Sequence, residues 1–177
     1  MNIDPGLFPD VADALGIDSP AIVEKDVYAV QLLSLLSALH SETFELVFAG
    51  GTSLAKAHHK LFRMSEDIDI KLVPRDGIAT GKSRTALKAA RKAILSEIEA
   101  IISRSQILTF DSDVGIIKRN EYRYAEFTVR YPRSQDSISA LRPDLKLDVT
   151  ASELYEPAVV CSVSSLYAEA LNLPPEV

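Results

Sequence analysis

The sequence predicts an α/β or α+β fold, a mixed sheet flanked by helices. Three observations carry that expectation. Segments with apolar residues recurring at threes and fours are interleaved with short segments that alternate apolar and polar residues, or run apolar. Turn residues separate them, which favours layered packing of helices on a sheet. The chain has 177 residues, 47% of them hydrophobic, enough for one domain with a sizeable core.

The elements follow in order. Residues 20–40 have helical spacing through Ile22, Val23, Val27, Val30, Leu33 and Leu36, with Ser19 as N-cap and Pro20 as first helical residue. Residues 44–48 are a short apolar run that reads as a buried strand ending at Gly50-Gly51. A short helix is expected over 52–60, and a strand over 67–73 stopped by Pro74. Residues 77–82 read as a loop and 83–103 as a long helix rich in Ala, Leu, Ile and Lys. Strands are expected over 107–110, 121–131, 145–150 and 158–163. Residues 166–173 begin a segment with no evident cap or packing partner. No internal repeat or low-complexity tract interrupts the pattern.

The bulk numbers exclude several classes. No apolar stretch approaches the roughly 20 residues of a membrane span, so no membrane partner is expected. The N-terminus Met-Asn-Ile-Asp-Pro lacks the basic region of a signal peptide. Cys161 is the single cysteine, which rules out an internal disulfide and fits a reducing cytoplasm. The net charge of −6 is not that of a default nucleic-acid binder. Two stretches, 82–92 and 118–133, are locally basic and read as a solvated helix and strand, or as a basic face.

The chemistry concentrates in 50–69 and 145–150. Gly50-Gly51 ahead of a helix lets backbone N–H groups approach a phosphate, and the helix start adds positive potential. In Glu66-Asp67-Ile68-Asp69-Ile70-Lys71, strand alternation puts Asp67, Asp69 and Lys71 on one face. In Leu145-Lys146-Leu147-Asp148-Val149-Thr150 it does the same for Lys146, Asp148 and Thr150. If the two strands are neighbours, Asp67, Asp69 and Asp148 converge. Such hard oxygen ligands suit Mg²⁺ or Mn²⁺ rather than zinc. A phosphate cradle joined to metal carboxylates is the equipment of nucleotidyl transfer.

Other motifs read as structure. Gly77-Ile-Ala-Thr-Gly81-Lys82-Ser83 has three residues between its glycines where a P-loop needs four, so Ser83 reads as an N-cap and Gly81 as a turn residue. His58 and His59 are adjacent on a helix and make a poor zinc pair. Tyr122, Tyr124, Phe127 and Tyr131 read as core or cross-strand aromatics rather than as platforms for bases.

Phe48-Ala-Gly-Gly-Thr-Ser-Leu-Ala-Lys56 followed by Arg63-Met-Ser-Glu-Asp-Ile-Asp-Ile70 resembles the signature of the AbiEii/AbiGii nucleotidyltransferase toxin family. Upstream, Val23-Glu-Lys-Asp26 resembles the family's Glu-Lys-Asp stretch, and Lys146-Leu-Asp148 resembles its Lys-x-Asp motif. The resemblance covers roughly residues 20–150. It implies a polymerase-β-like nucleotidyltransferase fold, a metal-dependent site and an NTP substrate. It implies a toxin of a toxin–antitoxin or phage-defence pair with a cognate antitoxin, and tRNA or protein as acceptor. Carried over by position, Gly50, Gly51 and Thr52 would form the phosphate-facing turn with Ser53 near it. Asp67 and Asp69 would be metal ligands, and Asp148 the third carboxylate, acting as metal ligand or as base for the incoming hydroxyl. Lys146 would contact the triphosphate. Arg63 and Ser65 would support nucleotide binding. Lys56 reads as solvent-facing or paired with an acid, and Lys25 and Asp26 as an ion pair or as site residues.

The resulting expectation is one nucleotidyltransferase-like domain over 1–177, opening with a helical segment over about 1–42. The chain stops at Pro174-Pro-Glu-Val177, so the family's helical C-terminal part is expected to be missing. The rival expectation is a catalytically inactive relative that binds a nucleotide or a partner.

Overall fold

A computed structural model describes residues 3–58, 66–75, 77, 81–111, 113–136, 139 and 141–177. A 3-10 turn, Pro5–Leu7, leads into α1 (Phe8–Leu15), which Gly16 ends in the left-handed conformation. The 18-residue α2 (Pro20–Ser37) starts where Ser19 Oγ accepts from the Ala21 amide. Strand β1 (Phe44–Ala49) runs directly into α3 (Gly50–Ser53), a single turn that widens into a π-helical turn over Leu54–His58. Then come β2 (Asp67–Pro74), α4 (Arg84–Arg104), β3 (Thr109–Phe110), β4 (Ile116–Arg119), β5 (Tyr124–Arg130), β6 (Leu145–Ala151) and α5 (Leu166–Ala170).

The six strands form one mixed sheet in the order β1-β2-β6-β5-β3, with β4 also on β5. β2 and β6 are parallel; the remaining pairs are antiparallel. β3 and β4 lie one after the other along the same edge of β5, separated by a short excursion of the chain.

Alternation along the strands sets up one apolar face. It carries Phe44, Ile68, Ile70, Leu72, Ala125, Phe127, Val129, Leu145, Leu147 and Val149, all buried. Against it pack α2, through Val30, Leu33 and Leu36, and α4, through Ile94, Leu95, Ile98 and Ile102 at spacings of one, three and four. Helix α2 is apolar on its other side as well. There Val23 and Val27 join Phe8, Val11, Ala12 and Tyr167 in a second cluster beneath α1 and α5. Among the described residues no helix is long and apolar enough to cross a membrane.

Four local expectations change. Residues 158–163 are not a strand: the side chains of Val159 and Val160 are exposed, and Val163 exchanges backbone hydrogen bonds with the C-terminal Val177 instead. Residues 166–170 do have a cap and a partner. Ser165 Oγ accepts from the Ala168 amide, and the Tyr167 ring meets Phe8 edge-on at 5.9 Å. The helix after β1 begins at Gly50, two residues early, because the glycine pair itself forms its first turn. The strand over 121–131 starts later, at Tyr124, because Asn120, Glu121 and Tyr122 take left-handed backbone angles and make the β4–β5 turn. Ser83 caps α4 as read, and Lys82 donates to Thr43 Oγ1 at 2.7 Å. The basic stretches are partly neutralised. Arg84 and Lys88 meet Glu121, Lys118 pairs with Glu99, and Arg130 bridges to Asp111 and Asp113.

Candidate active site

The two carboxylate strands are adjacent. In the parallel β2–β6 pair, Asp67 stands opposite Lys146 and Asp69 opposite Asp148. On the far side of β6, the antiparallel β5 sets Glu126 opposite Asp148 and Thr128 opposite Lys146. Residues opposite one another in a ladder share a face, so Asp69, Asp148 and Glu126 form one cross-strand row. Asp67 and Lys146 lie one step along, on that same face. This face is the reverse of the one that α2 and α4 cover.

The glycine turn joins the row from the edge strand. Ala49, the last residue of β1, pairs with Asp69. The next residue, Gly50, has φ +77°, and a Cβ there would lie 2.0 Å from Asp69 Oδ2. Glycine is therefore required twice over, by backbone angle and by the approach of the carboxylate. Gly51 is exposed. Thr52 is buried and its Oγ1 donates to the Asp67 carbonyl oxygen at 2.5 Å, tying the turn to β2. Ser53 is also buried. It lines a cavity of about 250 Å³ with Leu33, Leu36, Phe48 and Ile70, on the apolar side of the sheet.

Each carboxylate of the row has a distinct setting. Asp148 Oδ2 accepts from Lys146 Nζ at 3.0 Å, and its Oδ1 lies 3.1 Å from the Tyr124 hydroxyl. Tyr124 donates more closely to Glu126 Oε2, at 2.7 Å, and Lys146 Nζ stands 3.5 Å from that same oxygen. Asp67 Oδ1 faces Arg142 Nη1 at 3.1 Å. Burial pushes the Asp69 carboxyl above the ordinary range, and the negative charges of Asp148 and Asp67 push it further, against Lys146 and Lys71. The hydrogen bond to Asp148 raises Lys146. The hydrogen bond from Tyr124 lowers Glu126, while burial and both carboxylates raise the Tyr124 phenol.

Among the described residues no three His, Cys, Asp or Glu side chains gather closely enough to hold a metal ion as they stand. The reason is visible in the pairings: Asp148 is turned toward Lys146 and Tyr124, and Asp67 toward Arg142.

The Glu24-Lys25-Asp26 triplet is buried, and its members do not pair with each other. Glu24 accepts from the Ser134 amide and hydroxyl and from the Gln135 amide. Lys25 pairs with Glu66 at 2.7 Å and donates to the Arg142 carbonyl, while Glu66 accepts from the Arg142 amide. Asp26 pairs with Lys56 at 2.5 Å and accepts from the Leu166 amide. Lys56 thus pairs with an acid and does not face solvent; its side chain is 11% exposed.

Arg63, Ser65, His59 and the His58 side chain lie outside the described residues. Of the aromatic residues, Phe127 is in the core, Tyr122 packs against it, and Tyr131 stacks on Tyr28 at 4.9 Å. Tyr124 departs from them by standing on the polar face. Sequence reasoning missed Tyr124, Glu126, Arg142 and Glu66 as neighbours of the aspartates. The signal for the first two was present: Tyr124, Glu126 and Thr128 alternate with Ala125, Phe127 and Val129.

A glycine turn beside a mixed sheet with two parallel aspartate strands defines a nucleotidyltransferase-like fold. The family model "Nucleotidyl transferase AbiEii toxin, Type IV TA system" matches residues 34–177, and the chain belongs to that family. Among solved structures it is similar to MenT4, a nucleotidyltransferase toxin from Mycobacterium tuberculosis H37Rv, with a TM-score of 0.59 and 22% identity. That match covers 96% of this chain and 51% of the other, so this chain spans about half the length of MenT4. At that identity the likeness shows the fold. No curated protein matches.

Proposed function

We propose that this chain transfers a nucleoside monophosphate from an NTP to an acceptor, with release of pyrophosphate, as the toxin of a toxin–antitoxin or phage-defence pair. One observation carries the reading: Asp69 and Asp148 stand opposite each other across β2 and β6, with Asp67 on the same face and Gly50 against Asp69. Burial together with the charges of Asp148 and Asp67 pushes the Asp69 carboxyl upward, a setting that supports a site open to a cation.

The donor set fits a hard divalent cation, Mg²⁺ or Mn²⁺. Its three carboxylates offer oxygen ligands alone, and a cation would offset the burial and the like charges that raise Asp69. Such an ion, when bound, supplies charge neutralisation to the triphosphate and acidity to the attacking hydroxyl. We assign its retention to Asp67, Asp69 and Asp148. Lys146 and Arg142, now paired with Asp148 and Asp67, are the cations available to the phosphate oxygens. Asp148 is the base for the acceptor hydroxyl. The backbone of Gly50 and Gly51 faces the phosphates, while Thr52 holds the turn against β2. Arg63 and Ser65 retain the supporting role that the family resemblance implies. We read 1–177 as a single nucleotidyltransferase-like domain working in the cytoplasm, where NTPs are abundant, with a cognate antitoxin as partner and tRNA or protein as acceptor.

The test is incubation with each labelled NTP, Mg²⁺, and either total tRNA or a cell-protein fraction. Label should enter the acceptor with wild type and be lost with Asp67→Asn/Asp69→Asn. Equal, empty lanes would refute catalysis. Calorimetric binding of NTP without any transfer would instead support the non-catalytic relative.

A further inference from the structure

Four side chains on the polar face form a closed ring: Tyr124, Glu126, Lys146 and Asp148. Lys146 Nζ lies 3.0 Å from Asp148 and 3.5 Å from Glu126. Tyr124 lies 2.7 Å from Glu126 and 3.1 Å from Asp148. Glu126 and Asp148 are direct cross-strand partners. The two carboxylates thus share one ammonium and one phenol.

A phenol has a single proton to give, so Tyr124 cannot fully satisfy both acids. The shorter contact gives that proton to Glu126. The ammonium is shared the other way, with its shorter contact to Asp148. Each acid therefore has one strong and one weak partner. Glu126 is anchored through Tyr124, on its own strand, and Asp148 through Lys146. The role proposed above for Asp148 removes it from this ring. Of its two ion-pair partners Lys146 then keeps Glu126, at 3.5 Å, and the phenol already fixes that carboxylate. All four residues sit on paired strands, so the exchange needs no backbone movement.

We propose that Glu126 is a positioning residue, which holds Lys146 over the sheet face and presents its ammonium to the nucleotide's phosphates when Asp148 turns to its own task. The proposal rests on the nucleotidyltransferase reading and goes beyond it. It assigns a role to a fourth acid that is neither ligand nor base. It also explains why a carboxylate lies beside a site that must receive a polyanion: without an anchor, the four-carbon stem of Lys146 would leave its head free to wander.

Calorimetry of Mg²⁺ complexes of ATP, CTP, GTP and UTP in turn, on wild type, Glu126→Gln, Lys146→Met and the double variant, tests it without requiring turnover. Glu126→Gln should fold as wild type and weaken the best nucleotide about tenfold, the scale of one charge-assisted contact. Lys146→Met should weaken it at least as much, and the double variant no more than Lys146→Met alone, because Glu126 acts through Lys146. In transfer assays the Glu126→Gln defect should fall on KM more than on kcat. Unchanged affinity in Glu126→Gln beside a loss in Lys146→Met overturns the positioning role and leaves the nucleotidyltransferase reading standing. So do additive losses in the double variant. Weakened binding of Mg²⁺ alone in Glu126→Gln overturns it too, by making Glu126 a ligand. A wild type that binds none of the four nucleotides overturns both readings.

Discussion

Two charged regions of this molecule are built on opposite terms. Glu24, Lys25 and Asp26 are 1%, 1% and 8% exposed, and each has partners of its own on a different segment. Asp67, Asp69, Asp148 and Glu126 lie together on a half-exposed sheet face and compete for Lys146, Lys71, Arg142 and a single phenol. Buried charge that is fully partnered locks chain segments together, because removing either partner leaves an uncompensated ion. Crowded, under-partnered charge stabilises little and remains available to a ligand. The contrast separates charges that hold the fold from charges that we assign to the proposed site, although both groups are Asp, Glu and Lys.

The sharpest way to break this comparison is Asp69→Asn. Transfer should fall on the order of 10³-fold, the upper end of what loss of one electrostatic group costs an active site. The midpoint of urea unfolding should hold or rise, because a carboxyl raised by burial and by two like charges is removed. A protein that loses stability along with activity would place Asp69 with the structural charges instead.

Lys25→Met inverts that pattern. It leaves Glu66 facing the Arg142 amide without its ammonium partner, next to a buried side chain that no longer carries charge. The expected loss is about 1–3 kcal/mol by urea denaturation, below that for a fully buried pair because the Glu66 side chain is 26% exposed. Adding Glu66→Gln should recover part of it. Recovery distinguishes an orphaned acid from simple loss of packing.

Acid titration compares two single carboxyls by sign, Glu66 beside Lys25 and Asp69 in the cross-strand row; Asp26, which burial raises, does not share the sign of Glu66. Burial pushes the Glu66 carboxyl up, but the hydrogen bonds from Lys25 and the Arg142 amide outweigh it and hold the group below its usual 4.5. Its stabilising contribution is therefore present above the unfolded value and disappears as pH falls through the lower folded value. Asp69 is raised above 3.8, so its contribution is present below the unfolded value and lost as pH rises through the folded one. Stability measured downward from pH 6 should fall less steeply in Glu66→Gln than in wild type. In Asp69→Asn it should fall more steeply. A common slope for all three proteins would refute the opposed electrostatic settings.

The same contrast explains what the chain's pattern reveals and what it hides. The polar face was legible through Asp67, Asp69, Lys146 and Asp148, because strand alternation is a local property and each strand states its own faces. Their adjacency was conditional, since parallel pairing of β2 with β6 depends on a long connection that no local pattern encodes. Glu126 was hidden because it shares β5 with aromatic and apolar residues that dominate the reading. Arg142 was hidden because it lies on a loop, where no periodicity points. The structural charges were the least legible. Glu24, Lys25 and Asp26 run consecutively on α2, and three consecutive helical positions face three directions, so their partners come from residues 66, 134 and 56. The strand expected over 158–163 failed for a related reason. Its β-branched residues are compatible with a strand, but Pro157 precedes them and Val163 is held by the C-terminus instead of by a ladder.

The mildest perturbation tests whether the two regions are independent. Ser165 is fully buried, and its hydroxyl accepts from the Ala168 amide at the start of α5. The adjacent Leu166 amide is held by Asp26, so α5 is docked through the buried triplet and through Tyr167 on Phe8. Ser165→Ala should cost about 1 kcal/mol, the usual worth of an N-cap, and should speed amide exchange in α5. These contacts reach the β2–β6 carboxylates only indirectly, through Lys56, which pairs with Asp26 in the π-helical turn after α3, and through the neighbouring Lys25, whose partners Glu66 and Arg142 lead to Asp67. Nucleotide affinity in Ser165→Ala should therefore match wild type. A drop would show that the buried triplet transmits strain from α5 to the carboxylate face, through Lys56 or through Glu66 and Arg142, making the buried charges part of the site they now only support.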